Sequence, residues 1–337
     1  MKELFMLEVR TRLAPRLTPE QLAELDRVLG EELEGKELYW TDPQEKRDVP
    51  GNSGLVELFL SAKRTEGCSA RTIGYYGPVL SDFAGFCGGT DIRLADADFI
   101  RSYLAAYQGR NGCGNTTMDN IRRVLSSFYS WLEAEDRIVK SPVRRIHKIK
   151  TPREKKEPFS EEETERLRKG CSGNKRDEAI MELLLSSGIR VGELVTLDKA
   201  DIDLGGRTGK VRGKGNKERA IYFNVRTRML LKSYLDARDD DNPALFVSRR
   251  SYVGRGGHTR VSINAVEAMV RRAGEDAGVD RTHPHRFRRT FATRALDKGM
   301  PIELVQVLLG HTKIDTTLMY AIVQQHNVRA AHEKYVC

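Results

Sequence analysis

No apolar run in this sequence approaches the roughly 18 residues that a membrane-crossing helix needs. The N-terminus, MKELFMLEVRTRL, mixes charged residues among its leucines and lacks the uninterrupted apolar stretch of a signal peptide. Cysteine is scarce too. The five residues Cys68, Cys87, Cys113, Cys171 and Cys337 are odd in number, scattered, and never spaced C-x-x-C, which argues against a disulfide framework and a zinc ribbon. There is no phosphate-cradling G-x-x-x-x-G-K-[S/T] loop and no cluster of carboxylates of the kind that holds paired Mg²⁺ ions, so a P-loop ATPase and a two-metal nuclease are both disfavoured. These absences lead us to expect a cytoplasmic protein with no membrane partner, no cofactor and no metal.

Charge is abundant by contrast, at 31% of 337 residues with a net of +9. Its distribution is uneven. Residues 1–50 hold 8 Lys and Arg against 12 Asp and Glu, a balance of −4, and the rest of the chain carries +13. A body that basic suits a polyanion, with binding that weakens as salt rises.

The periodicities predict a mainly α protein with a small β-sheet. Residues 1–50 read as an acidic helical extension, with a capping box at Thr18–Gln21 and a polar linker over Thr41–Asn52. Residues 51–147 read as a four-helix module. Leu55, Leu58, Phe59 and Ala62 recur at helical spacing, as do Ile73, Tyr76, Leu80 and Phe83; Phe99, Tyr103 and Leu104 mark a third helix, and Val124, Phe128, Trp131 and Leu132 a fourth. Residues 148–157 form a basic linker. Arg144, Arg145, Lys148 and Lys150 lie in or beside it, and such a run is both a solvated connector and a candidate phosphate contact. The larger domain, 158–325, opens with a capping box at Ser160–Glu163 and contains one hairpin signature between Gly205 and Phe223; Leu245–Val247 is the only other strand candidate, and 326–337 is a tail.

Four stretches of the larger domain carry chemistry. In GIRVGEL (188–194), Arg190 begins a helix after a glycine stop, where backbone N–H groups favour an anion, and Glu193 one turn on can orient its guanidinium. In GKGNKER (213–219), glycines flank Lys214 at a hairpin turn, with Lys217 and Arg219 as further candidate DNA contacts; a lysine there can follow a phosphate and give a proton to a leaving oxygen. In HPHRFRRTFAT (283–293), His285 and Arg288 are three apart on one helical face, an arrangement that suits an oxyanion better than a metal. In LLGHTKIDTTLMYA (308–321), His311 lies in a turn after Gly310 and Tyr320 on the following helix. Taken singly, each has a plainer reading: a surface ion pair, a solubilising turn, a core aromatic. Taken together, two arginines, a lysine, two histidines and a tyrosine are what metal-free attack on a phosphodiester requires.

In these motifs and their order the chain resembles the tyrosine recombinases, the family of phage integrases and Xer-type chromosome recombinases. The resemblance implies a two-domain architecture, a helical core-binding (SAM-like) domain followed by an α/β catalytic domain. It implies that Arg190 and Arg288 bind the scissile phosphate and that Lys214 protonates the leaving 5′-hydroxyl. His285 and His311 would assist proton transfer, and Tyr320 would form a 3′-phosphotyrosine, without ATP, on the way to a Holliday junction. The implied partners are double-stranded DNA with inverted-repeat core sites, three further copies of the chain in a homotetramer, and an accessory directionality factor. Integration and excision of a mobile element is the expected role, because dedicated Xer proteins usually lack an extension like residues 1–50; dimer resolution and inversion are alternatives. A type IB topoisomerase-like enzyme shares the chemistry, and an inactive DNA-binding regulator would have lost Tyr320, Arg190 or Arg288. The sequence departs from many relatives at Gly192, where they carry Ser, and at Arg289, where they carry His. The tail from Gln324 resembles a segment that relatives dock onto a neighbouring subunit.

Overall fold

The computed structural model describes residues 2–38, 50–151, 157–213, 218–252, 257–311 and 313–319, with the side chains of 249–252, 257 and 315 left aside. The expected linker at Thr41–Asn52 falls mostly outside them. The chain divides into two compact units, Met1–Glu154 and Lys155–Cys337. Among the described helices none is long and apolar enough to cross a membrane.

The first unit is all helix. It begins with α1 (Lys2–Leu13) and α2 (Pro19–Glu32), joined by an Arg10–Asp26 ion pair of 3.1 Å. Thr18 caps α2 reciprocally with Gln21, as the sequence signature requires. Neither helix buries a residue fully. Four helices follow: α3 (Asn52–Thr65), α4 (Ala70–Cys87), α5 (Ala97–Asn111) and α6 (Asn115–Ala134). Their apolar stripes meet in one aromatic-rich core, in which Phe83 packs edge-on to Tyr103 at 4.8 Å and Phe59 to Phe128 at 5.3 Å. The basic stretch after α6 starts as part of this unit. Ile146 is buried, the Ile149 N–H donates to Asp119 at 3.2 Å, and Asn115 donates to the Lys150 carbonyl at 2.9 Å. Burial pushes the Asp119 carboxyl up, but the hydrogen bonds from Arg122 and the Ile149 N–H, with the charges of Arg122 and Lys148, hold it below its ordinary range.

The second unit is built around α8 (Lys175–Ser187), whose Ala179, Ile180, Leu183 and Leu184 are fully buried. A helix buried on nearly every side is central, and α8 is wrapped by α7 (Glu161–Gly170), α10 (Val225–Asp236) and α12 (Pro284–Asp297). The one-turn α9 (Val191–Leu194) leads into an antiparallel sheet of β1 (Ile202–Asp203), β2 (Thr208–Arg212) and β3 (Glu218–Tyr222) in that order. Beyond α10 the structure adds a second hairpin, β4 (Val247–Tyr252) with β5 (Gly257–Arg260), where the sequence suggested one short strand at Leu245–Val247. These strands are polar and so lack the apolar alternation that announces a half-buried strand; Leu245 and Phe246 themselves serve the core just ahead of them. The unit continues through α11 (Ile263–Asp276), α12, α13 (Ile302–Leu309) and α14 (Asp315–Leu318).

Trp131 is buried on α6 in the core of the first unit, so its fluorescence reads the unfolding of that unit. Phe83 is fully buried among aromatic rings. Phe83→Ala is expected to remove about 3–5 kcal/mol, seen as a lower urea midpoint in fluorescence; an unchanged midpoint would contradict the core described here.

Candidate active site

Two helices of the second unit, α8 and α13, end in glycines with left-handed backbone, Gly188 and Gly310, each at φ 60°. Glycine adopts that conformation at least cost, and there is no room for more. A Cβ on Gly188 would lie 2.5 Å from Phe291, and one on Gly310 would lie 2.7 Å from the Arg219 side chain. The last turn of any helix leaves carbonyls without intrahelical partners, at the negative end of the helix dipole. Here those carbonyls draw in arginines.

At the end of α13, three successive carbonyls each accept from a different guanidinium. Arg219 donates to Leu308 O at 2.7 Å, Arg288 to Leu309 O, and Arg190 to Gly310 O at 3.0 Å. Arg288 also donates to Gly188 O at 2.7 Å, tying the ends of α8 and α13 together, and it is 2% exposed. One buried carboxylate serves the group. Glu193 accepts from the Arg190 guanidinium at 2.7 Å and from its backbone N–H at 3.0 Å, while its second oxygen also takes Arg219 at 2.7 Å. Burial pushes Glu193 up, but the hydrogen bond from the Arg190 N–H and the charges of Arg219 and Arg190 prevail and keep it below its ordinary value.

His311 completes the group. Its Nε2 lies 2.9 Å from the Arg288 guanidinium, which can only donate, so Nε2 accepts and the ring proton sits on Nδ1. That proton is donated to the hydroxyl of Thr317, 2.9 Å away and fully buried. Burial, then the charges of Arg288, Arg190 and Arg219, push the His311 pKa down to about 4, so the imidazole is neutral at pH 7. Among the described residues of this group, three guanidinium groups meet one carboxylate, and positive charge is in excess. Arg190, whose side chain is 35% exposed, carries that excess to the surface. Such a site is made for an oxyanion.

Among the residues singled out from the sequence, the structure thus brings together Arg190, Arg288 and His311. His285 stands on the first turn of α12, one turn before Arg288, and is exposed. Lys214, Lys217 and Tyr320 lie outside the described residues. Arg144, Arg145, Lys148 and Lys150 are exposed in the first unit, with Arg144 paired to Glu133 at 2.9 Å. Arg219, expected as a DNA contact, is instead turned inward, with its side chain 13% exposed between Glu193 and Leu308 O. The strand alternation carried that signal: Arg219 shares a face of β3 with Ile221, which is buried. Thr317 was not singled out, and nothing in the spacing marks its hydroxyl as the partner of His311. Among the described residues no three His, Cys, Asp or Glu gather as a metal site would require.

His311 gives a pH signature. Its ordinary value is 6.5 and its folded value about 4, so between these the unfolded chain binds the proton and the folded chain does not. Its contribution to stability is complete above pH 6.5 and falls away as the pH drops toward 4. The gap in Tm between wild type and His311→Gln is therefore expected to narrow from pH 7 to pH 4.5; a constant gap would contradict the assignment.

Comparison with known proteins agrees with this geometry. Residues 157–327 match the phage integrase family, and residues 55–137 match the phage integrase N-terminal SAM-like domain. The chain is 33% identical over 294 residues to tyrosine recombinase XerC of Staphylococcus aureus (strain JH9), covering 82% of this chain and 95% of the relative. Its fold resembles that of the XerH site-specific recombinase bound to palindromic difH substrate, with a TM-score of 0.65 at 19% identity over 98% of this chain and 95% of the other. It also resembles the Tn1549 transposon integrase in complex with a circular intermediate DNA, with a TM-score of 0.64 at 19% identity over 83% and 98%. A catalytic-domain match over half the chain, joined to a relative aligned along nearly its whole length, makes this chain a member of the phage integrase family of tyrosine recombinases.

Proposed function

We propose that this chain is a site-specific DNA recombinase that cuts and rejoins strands through a phosphotyrosine on Tyr320. The observation that carries the reading is the group of three guanidinium groups on the terminal carbonyls of α13, two of which, Arg190 and Arg219, share the Glu193 carboxylate. In the reaction, the Tyr320 phenolic oxygen attacks phosphorus, the bond to the 5′-oxygen breaks, and that oxygen leaves with a proton from Lys214. Arg190 and Arg288 stabilise the negative charge that builds on the phosphoryl oxygens, where fixed donors in a buried setting act most strongly. His285 and His311 help take up the phenolic proton of Tyr320 and hydrogen-bond the phosphate, His311 doing so from Nε2 once that atom is protonated. His311, neutral with its proton on Nδ1, keeps an acceptor at Nε2 until it enters such a step. The energy of the broken bond stays in the phosphotyrosine, so the 5′-hydroxyl of a partner strand reverses the step without ATP or metal, through a Holliday junction.

The substrate is double-stranded DNA with inverted-repeat core sites, taken by a homotetramer on two sites, with an accessory factor setting direction. Integration and excision of a mobile element is the role expected from the residues 1–50 extension. A second reading, Xer-type resolution of chromosome or plasmid dimers, is favoured by the 33% identity to XerC along 95% of that relative. The extension does not separate the two, because the likeness to the XerH fold spans 98% of this chain. The Tn1549 likeness is one of fold and does not choose either.

The test is covalent trapping on nicked duplexes bearing inverted repeats from DNA flanking the gene, in EDTA, resolved under denaturing conditions. Wild type is expected to give a denaturant-resistant adduct and Tyr320→Phe none, and Arg288→Ala is expected to slow its formation by about 10²–10³-fold. Tight binding without adduct would overturn the reading. Neutralising Lys148 and Lys150 is expected to weaken binding on all sequences and to flatten the salt slope by about 0.9 for each phosphate no longer neutralised. An unchanged slope would show that this segment does not follow the backbone.

A further inference from the structure

Arg219 sits where a strand normally faces an apolar core. Pairing of β2 with β3 sets it opposite Val211, which is buried, and two residues from Ile221, also buried. An inward arginine needs partners; the two terminal nitrogens of Arg219 both find theirs in the active site, while its Nε is buried without one. One nitrogen donates to Glu193, the carboxylate that holds Arg190, and another to Leu308 O, three residues before His311. Its methylene stem fills the space that a side chain on Gly310 would occupy. One guanidinium therefore ties three separate elements: β3, α9 and the end of α13.

We propose that Arg219 is a positioning residue for strand cleavage, holding Arg190 and the His311 turn in register without itself touching DNA. This rests on the recombinase reading above. Glu193 offers two oxygens, and Arg219 occupies the one that also takes the Arg190 N–H. With Arg219 in place, Glu193 meets the Arg190 guanidinium through one oxygen alone, and the second Arg190 nitrogen turns to Gly310 O. Without it, the carboxylate is left to a single arginine and both oxygens can close on Arg190, turning its guanidinium away from the charge that builds in the transition state. The carbonyl of Leu308 would lose its cap at the same time, beside the turn that aims His311. A lysine keeps the charge but not the fork, and cannot span both acceptors.

The experiment measures Arg219→Lys and Arg219→Gln alongside wild type in the full-length protein. Adduct formation is followed in single turnover at saturating nicked duplex, DNA affinity across a salt series, and Tm. The expected result is a rate at saturation lower by on the order of 10²-fold in both variants, with affinity and salt slope unchanged and the Tm of Arg219→Lys unchanged. A wild-type rate at saturation overturns the proposal. Weaker binding with a slope lower by about 0.9 makes Arg219 a phosphate contact instead and overturns it too. A Tm that falls in step with the rate in both variants assigns Arg219 to holding the fold, and likewise overturns it. If wild type itself forms no adduct on any duplex, the recombinase reading fails rather than this one.

Discussion

The end of α13 presents carbonyls 308, 309 and 310 to three arginines drawn from β3, α12 and the start of α9. Everything else about the site depends on that contact. A helix terminus cannot satisfy its own last carbonyls, and in this protein the groups that satisfy them are also the groups that gather charge. The left-handed turn at Gly310 brings His311 back beside Arg288, and the same turn leaves only enough space for the Arg219 stem. Without glycine at 310 the chain would neither turn nor admit the arginine. Without the arginines the turn would expose carbonyls to a buried setting.

The histidine follows from the same arrangement. Placed in water, an imidazole titrates close to neutrality and serves as acid or base with little bias. Placed partly out of water and among three guanidinium groups, it is held neutral well below pH 7, and its proton is committed to Thr317. Such a histidine is a hydrogen-bonding group with a fixed tautomer rather than a reservoir of charge. A phosphate bound among the arginines would add negative charge beside it and lift its proton affinity toward the range where it can carry a proton. The ligand, in that case, supplies the electrostatic change that the side chain needs in order to take part.

Much of this was legible in the residues. Helices α3 to α6 of the first unit announce themselves because each must bury a stripe, and a stripe at 3.6-residue spacing is visible in a string of letters. The capping boxes at Thr18 and Ser160 are equally local, and both form. Arg190, Arg288 and His311 could be grouped because the chemistry of phosphodiester cleavage asks for that set, and they do converge. The direction in which Arg219 points was harder: a Lys-rich turn beside it reads as solvent-facing, and only its parity with Ile221 says otherwise. The β4–β5 hairpin leaves no mark because its stability comes from strand pairing and not from an apolar face. Thr317 is invisible for a different reason. A threonine hydroxyl becomes a partner only when a fold brings a histidine from a preceding turn within reach, and no spacing rule encodes that.

The charge balance of the site links its stability to its chemistry. Among the described residues, three cations and one carboxylate in a partly buried setting form an incomplete ion network, and such networks are costly when a partner is missing. Carbonyl dipoles at two helix ends offset part of that cost, since partial negative charge is what helix C-termini supply. They do so without cancelling the field, because a dipole falls off faster with distance than a charge. A second acid beside Glu193 would have gone further toward closing the network and stabilising the domain, and it would also have filled the place of the phosphate. The site keeps that place for its ligand. A ligand that binds the folded state alone stabilises it by mass action, so a scissile phosphate bound there, as proposed, would add the anion that the network needs and meet the field that acts on it.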